Sequence, residues 1–100
     1  MKRYLYFDKP LINSAGTLGF APDMRSLESL SYLDKLGAFV TNPISLRPRL
    51  PTSSPVAIEF SGGVLLHTGL PNPGFSHVIK KYSAKWKRSE LPIIVHIMAD

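Results

Sequence analysis

The sequence predicts an α/β fold built on parallel strands, and three observations carry that prediction. Residues 10–14, 38–41 and 93–98 are short apolar runs that lack the polar alternation of a half-exposed strand. Two stretches with apolar residues at helical spacing lie between them. Strand, helix and strand in this order form a βαβ unit, whose strands run parallel and whose crossover is right-handed. No composition break interrupts the 100 residues, so one domain is expected.

Residues 4–7 form a short strand in this reading. Residues 10–14 are the first strand of the sheet, and residues 14–19 are the glycine-rich loop at its carboxyl end. Asp23 or Ser26 can cap the helix that follows. Leu27, Leu30, Leu33 and Leu36 give it one apolar stripe, too short for a coiled coil and therefore packed on the sheet. Gly37 is the expected C-terminal stop. Residues 38–41 are the second strand, whose apolar continuity suits a parallel strand buried on both faces.

Residues 42–63 make a long connection with prolines at 43, 48, 51 and 55. Connections of this length are functional or disordered. Residues 56–60 and 64–66 can pair within it as a small hairpin. Its basic part, Arg47-Pro48-Arg49, is either an anion clamp or a solvated pair of side chains. The stretch from Gly63 to Gly74 ends an apolar run, makes a tight excursion and starts a helix, with Asn72 as N-cap and Pro73 at the first helical position. Phe75, Val78, Ile79, Tyr82 and Trp86 set the apolar side of that helix, opposite Lys80, Lys81, Ser83 and Lys85. Residues 93–98 are the third strand, with Ile94, His96 and Met98 on one side.

Composition excludes several classes of function. The chain has no cysteine, so disulfides, thiolate metal sites and a cysteine nucleophile are ruled out. His67, His77 and His96 lack metal-ligand spacing, and there is no Walker-type loop. No apolar run approaches the ~20 residues of a membrane span, and the start of the chain does not read as a signal peptide. A cytoplasmic protein without membrane contact is expected. Much of the net charge of +5 sits in Lys80, Lys81, Lys85, Lys87 and Arg88. That cluster is a nucleic-acid patch or, as is more common, a solvated helix face whose basic end suits the helix dipole. No aromatic interleaving or binding motif accompanies it, so no nucleic-acid partner is expected.

Four pieces in order carry a family resemblance: Asn13-Ser14-Ala15-Gly16-Thr17-Leu18-Gly19, Gly37-Ala38-Phe39-Val40-Thr41, Gly69-Leu70-Pro71-Asn72-Pro73-Gly74 and Pro92-Ile93-Ile94-Val95-His96-Ile97. In sequence and spacing, residues 10–100 resemble the amino-terminal part of the dihydroorotate dehydrogenase family. The resemblance implies the first three strands and two helices of a flavin-dependent (β/α)8 TIM barrel, with a small-molecule site at the carboxyl ends of the strands. A barrel takes about 250 residues. The chain is therefore expected to be part of a longer protein, or to complete itself through the rest of the barrel, a partner chain or self-association.

By the same resemblance, FMN lies against Ser14, Ala15, Gly16, Thr17, Asn42 and His96. Asn42, Leu66, His67, Thr68, Gly69 and Leu70 face the substrate. Two positions depart from the family. Asn42 stands where a lysine usually contacts flavin and substrate carboxylate, and Leu66 stands where an asparagine holds the pyrimidine. His96 is either a core histidine or a ligand, and His67 is either a substrate contact or a solvated loop residue. The resemblance places the catalytic base beyond Asp100, so none is named here.

The expected function is that of the amino-terminal segment of an FMN-dependent oxidoreductase. It would transfer hydride at a carbon–carbon bond of a small heterocycle, in pyrimidine metabolism by resemblance. The alternative is a family member with a decayed site, acting as a binding or structural subunit. The length of the natural gene product discriminates between the two.

Overall fold

Main-chain pairing lines up three segments side by side and all parallel. Ile12 bridges Ala38, β1 (Phe39–Val40) pairs with β4 (Ile93–Ile94), and Ile44 bridges Ile97. The order in space therefore follows the order in sequence, as stacked βαβ units require. The computed structural model describes residues 6–22, 32–53 and 56–99. The expected caps at Asp23 and Ser26, the stripe positions Leu27 and Leu30, the start of the first short strand and Asp100 lie outside these residues. Tyr6 and Phe7 are described, and they are exposed and not in a strand.

Regular pairing is shorter than the apolar runs suggest. The first strand contributes a single bridge, and the third has two paired residues and one bridge. Side chains take over where the ladder stops, as described for the site below. The expectation of strands buried on both faces holds in the second strand at Ala38, Phe39 and Thr41, while Val40 is half-buried, and it does not hold for the third strand. Val95 and Ile97 are exposed there, because the third strand has no further sheet neighbour among the described residues.

The core lies on one side of β1. Leu33, Leu36 and Phe39 are buried together, with Leu18, Leu91 and Ile93 packed against them. The described half of the leucine stripe thus meets the sheet. Gly37 does not act as a left-handed helix stop. Its role is close approach: its N–H donates to the Leu11 carbonyl at 2.7 Å, and a Cβ there would collide with the Lys9 carbonyl.

Within the long connection, β2 (Ala57–Phe60) and β3 (Gly63–Leu66) form an antiparallel hairpin, with Ile58 opposite Leu65 and Glu59 opposite Val64. A two-residue turn at Ser61 and Gly62 joins them. The hairpin anticipated from residues 56–60 and 64–66 is present. Every residue of both strands is exposed.

Helix α1 (Phe75–Arg88) begins later than its sequence suggests, with Gly74 as N-cap at φ 91. Asn72 cannot turn into the helix because it is held elsewhere: its main chain bridges Arg49 and its side chain is buried against Ser45. A Cβ at Gly74 would sit 3.0 Å from Pro48, so both space and φ require glycine. Val78 is fully buried, whereas Phe75 at the start of the stripe remains 44% exposed. Tyr82 stacks at 5.4 Å on Phe20, and the Trp86 indole donates to the Phe20 carbonyl at 2.7 Å, tying α1 to the loop after the first strand. Lys85, Lys87 and Arg88 fill the last turn, where cations complement the helix dipole. Lys81 and Lys85 lie over the Tyr82 ring. No helix among the described residues is long and apolar enough to cross a membrane.

Candidate functional site

The carboxyl ends of the three parallel segments meet at one edge of the sheet, and side chains sew them together. Asn13 stands at the end of the first. Its Oδ1 accepts from the Val40 N–H at 2.7 Å and its Nδ2 donates to the Val40 carbonyl at 2.8 Å. The Asn13 carboxamide thus continues the pairing for one more step after the Ile12 bridge. The same Nδ2 also reaches the Ser14 carbonyl and Thr17 Oγ1, and the Thr17 hydroxyl donates to the Ser14 carbonyl at 2.6 Å. These bonds fold residues 14–17 into a closed turn.

Two neighbours extend the seam. The Asn42 N–H donates to the Gly19 carbonyl at 2.9 Å, and the Gly19 N–H donates to Asn42 Oδ1 at 3.2 Å. Thr41 is fully buried. Its hydroxyl accepts from the His96 N–H and donates to the Asn42 carbonyl, each at 3.0 Å. One threonine therefore joins the second and third strand ends. Ser14, Ala15, Gly16, Thr17, Asn42 and His96 are thereby brought to one edge.

Their exposure differs among the described residues. Residues 14–17 are exposed, and Gly16 has φ 88 with nothing within 4 Å of a Cβ built there. His96 stands near the end of the third parallel segment. It is exposed at the strand end, and its main chain is engaged by Thr41 and Ile44. Asn42 is half-buried, with its amide oxygen already used by Gly19.

The second group, residues 66–70, lies on the excursion. Leu66 ends β3 and is 67% exposed. His67 is exposed and donates its N–H to the Val56 carbonyl at 2.8 Å, extending the hairpin by one pair. The Thr68 carbonyl accepts from the Thr52 N–H, and its hydroxyl accepts from the Leu70 N–H at 3.1 Å. Gly69 has φ 82, and a Cβ would lie 2.8 Å from the Thr52 nitrogen and 2.9 Å from the Leu50 oxygen. Leu70 follows at φ 50, a left-handed conformation that L-residues avoid. Backbone held in such a region clusters at ligand clamps.

Arg49 is an exposed loop residue, and its Nε donates to the Gly69 carbonyl at 2.9 Å. Its guanidinium thus braces the turn, which neither reading of the Arg47-Pro48-Arg49 segment anticipated. No hydrogen bond among the described residues runs directly between residues 66–70 and the first group. The link is indirect, through Ile44, Ser45 and Asn72. One cavity among the described residues lies elsewhere. It is lined by Phe20, Leu33, Leu36, Tyr82 and Leu91 behind the sheet, and of the expected site residues it reaches only Asn42. The hydroxyls at the strand ends and the strained backbone on the excursion mark the better candidate, since the cavity is walled by the core residues Leu33 and Leu36. Among the described residues no group of three His, Cys, Asp or Glu side chains is placed to hold a metal.

A family model described as dihydroorotate dehydrogenase matches residues 3–100. The chain belongs to the dihydroorotate dehydrogenase family. It is 32% identical over 98 residues to the dihydroorotate dehydrogenase B (NAD(+)) catalytic subunit of Desulforudis audaxviator, covering 96% of this chain and 30% of that one. It is 34% identical over 91 residues to the corresponding subunit of Pelobacter propionicus, covering 91% and 29%. A putative dihydroorotate dehydrogenase A (fumarate) of Aquifex aeolicus is 31% identical over 94 residues, covering 94% and 30%. The chain thus spans about 30% of the length of these dihydroorotate dehydrogenase relatives.

What the sequence pattern missed is the stitching. Asn13 lies inside the quoted motif without a role, and Thr41 reads only as the end of a strand. A polar residue closing an apolar strand is the signal that marks both, and at Asn13 a glycine-rich turn follows it.

Proposed function

We propose that this chain is the amino-terminal segment of an FMN-dependent oxidoreductase of the dihydroorotate dehydrogenase type, the beginning of a (β/α)8 barrel. The observation that carries the reading is the seam itself. Three parallel strand ends present Ser14, Thr17, Asn42 and His96 at one edge, and barrel enzymes place their chemistry at that edge.

The residues fit one rim of a flavin. Residues 14–17 offer exposed backbone and two hydroxyls, and the open space over Gly16 lets a flat ring come close. Ser14, Ala15, Gly16, Thr17, Asn42 and His96 would line that rim. When bound, FMN supplies hydride acceptance and donation for a carbon–carbon bond of a small heterocyclic substrate. The chain's own residues bind and orient: the strand ends hold the ring, and the turn at Gly69 and Leu70 presents backbone groups to the substrate. The names of the relatives include a catalytic subunit, so a partner subunit belongs to this reading, as does a cytoplasmic location.

A second reading, a non-catalytic subunit with a decayed site, draws on two residues. Asn42 brings no charge to the site, and Leu66 brings no hydrogen bond. One experiment separates the two: purify the complete polypeptide that carries this segment, measure its flavin content and add dihydroorotate anaerobically. Stoichiometric FMN that bleaches on addition of a reduced substrate supports the enzyme. A colourless protein that cannot be reconstituted with FMN supports the subunit.

A further inference from the structure

We propose that Asn72 is a positioning residue: its buried carboxamide holds the turn at Gly69 and Leu70 in its left-handed shape and so sets the substrate-facing rim. The substrate half of this proposal rests on the oxidoreductase reading above.

The geometry points to Asn72 and not to the turn's own sequence. Among the described residues Leu70 is the one non-glycine at positive φ. Such a conformation persists only where its surroundings over-determine it. The Leu70 carbonyl accepts from Asn72 Nδ2 at 3.2 Å. The same nitrogen donates to Ser45 Oγ at 3.0 Å, while Asn72 Oδ1 accepts from the N–H groups of Ser45 at 3.2 Å and Gly74 at 3.0 Å. Asn72 is 6% exposed and Ser45 1%, so the bonds to Ser45 and Gly74 are made away from water, while the bond to the Leu70 carbonyl is half-buried.

The other end of the clamp is anchored in the sheet. Ser45 follows Ile44, which bridges Ile97 and accepts from the Met98 N–H at 2.9 Å. The Ser45 hydroxyl donates to the Arg47 carbonyl at 2.6 Å. The Asn72 main chain exchanges two hydrogen bonds with Arg49, at 2.9 and 3.1 Å, and the Arg49 side chain reaches the Gly69 carbonyl. A continuous path therefore runs from the third strand end through Ile44, Ser45 and Asn72 to Leu70. It is the indirect link between the flavin-side and substrate-side groups. A helix cap, the role its sequence position suggests, would not need the donor bond to Leu70.

The test uses the complete polypeptide in wild-type, Asn72→Ala, Asn72→Asp and Ser45→Ala forms. Asn72→Asp keeps the acceptor for the Ser45 and Gly74 amides but loses the donor to Leu70 and to Ser45 Oγ, and Ser45→Ala reports on the second loss alone. Hydrogen exchange should quicken about tenfold across residues 67–71 in Asn72→Ala and Asn72→Asp, and less in Ser45→Ala, with residues 38–41 unchanged. Orotate, titrated against the flavin absorbance, should bind about tenfold more weakly to both Asn72 variants at unchanged flavin content. A merely structural asparagine would lower flavin content, orotate binding and protection everywhere together, and that result overturns the proposal. So does wild-type exchange at residues 67–71 in Asn72→Asp. Should Asn72→Ala fail to fold, Asn72→Asp and Ser45→Ala decide. A wild type without flavin refutes the functional reading alone, because the exchange comparison still reports on the clamp. A wild-type flavoprotein that orotate does not perturb refutes the substrate half.

Discussion

The Asn13 carboxamide behaves towards Val40 as a backbone amide would, accepting from its N–H at 2.7 Å and donating to its carbonyl at 2.8 Å. The first and second strand ends are joined at this point by a side chain, where main-chain pairing has already stopped at Ile12 and Ala38. Placing that bond in a side chain frees residues 14–17 to turn away from the sheet and still stay fixed to it.

Asn13→Ala should therefore destabilise the protein and loosen the flavin rim together. It leaves two half-buried main-chain groups of Val40 without partners, at a cost of about 1–3 kcal/mol. The expected result is a lower denaturation midpoint at unchanged slope, with reduced flavin occupancy. Asn13→Asp, which keeps the acceptor only, should fall between the two. A variant as stable and as fully loaded as wild type would show that the seam does not position the loop.

Gly69→Ala should be worse tolerated than an ordinary loop substitution. At φ 82 an alanine costs about 1–2 kcal/mol from backbone conformation alone. Its Cβ would also lie 2.8 Å from the Thr52 nitrogen and 2.9 Å from the Leu50 oxygen, both backbone atoms that cannot rotate away. The substitution should open the pairing of Thr52 with Thr68 and raise the substrate KM with flavin content unchanged. Flavin titration and steady-state kinetics on one preparation check both parts.

The elements defined by strong local chemistry were legible in the sequence, and those set by long-range bonds were not. The hairpin of β2 and β3 follows from two short β-prone runs around a turn, and α1 follows from five apolar residues at helical spacing. The start of α1 was misplaced by two residues, because Asn72-Pro73 looks like a cap and a first turn. Its partners, Ser45 and Arg49, lie more than twenty residues away, and no local pattern reveals them. The lengths of the parallel strands were overestimated for the same reason. Apolar runs show where a strand can lie, while Asn13 replaces the main-chain pairing after Ile12 and Thr41 interrupts it before the Ile44 bridge. The strand-end residues of the candidate site were recognisable by type and order, but Arg49, which braces Gly69, offered only an exposed charge.

Residues 1–100 on their own should associate. Ile58, Phe60, Leu65 and Leu66 on the hairpin are each more than half exposed, as are Leu46, Leu50 and Ile97 nearby. Apolar surface of this extent, next to unpaired strand edges, drives association or requires covering by another part of the protein. Sedimentation of the isolated segment should show oligomers or concentration-dependent mass. Ile58→Lys with Leu65→Lys, two exposed and directly opposed positions, should shift it towards monomer. A monomer with a sharp cooperative melt at all concentrations would rule this out.

Substrate preference should depart from dihydroorotate at two residues. A dihydroorotate enzyme must hold a carboxylate and a pyrimidine ring, and at the positions proposed above for those tasks this chain has neutral Asn42 and apolar Leu66. The Asn42 amide oxygen is also committed to the Gly19 N–H, which reduces what the side chain can offer a ligand. A hydrogen bond to a charged group contributes about 1.5–3 kcal/mol, and an unmet buried polar group costs about 1–3 kcal/mol. Together these losses weaken transition-state binding by about 2.5–6 kcal/mol, on the order of a hundredfold to ten-thousandfold, subject to coupling between neighbouring positions. The complete polypeptide with FMN bound should therefore oxidise dihydroorotate slowly and favour a less acidic ring. Asn42→Lys with Leu66→Asn should raise kcat/KM for dihydroorotate, the lysine acting mainly on KM if it meets only the carboxylate. His67 is exposed beside Leu66, and its ring nitrogens are a competing source of hydrogen bonds to the substrate. His67→Gln measured alongside separates the two contributions. A wild-type kcat/KM of about 10⁴ M⁻¹s⁻¹ or more on dihydroorotate, unchanged by His67→Gln, would show that neither replacement matters.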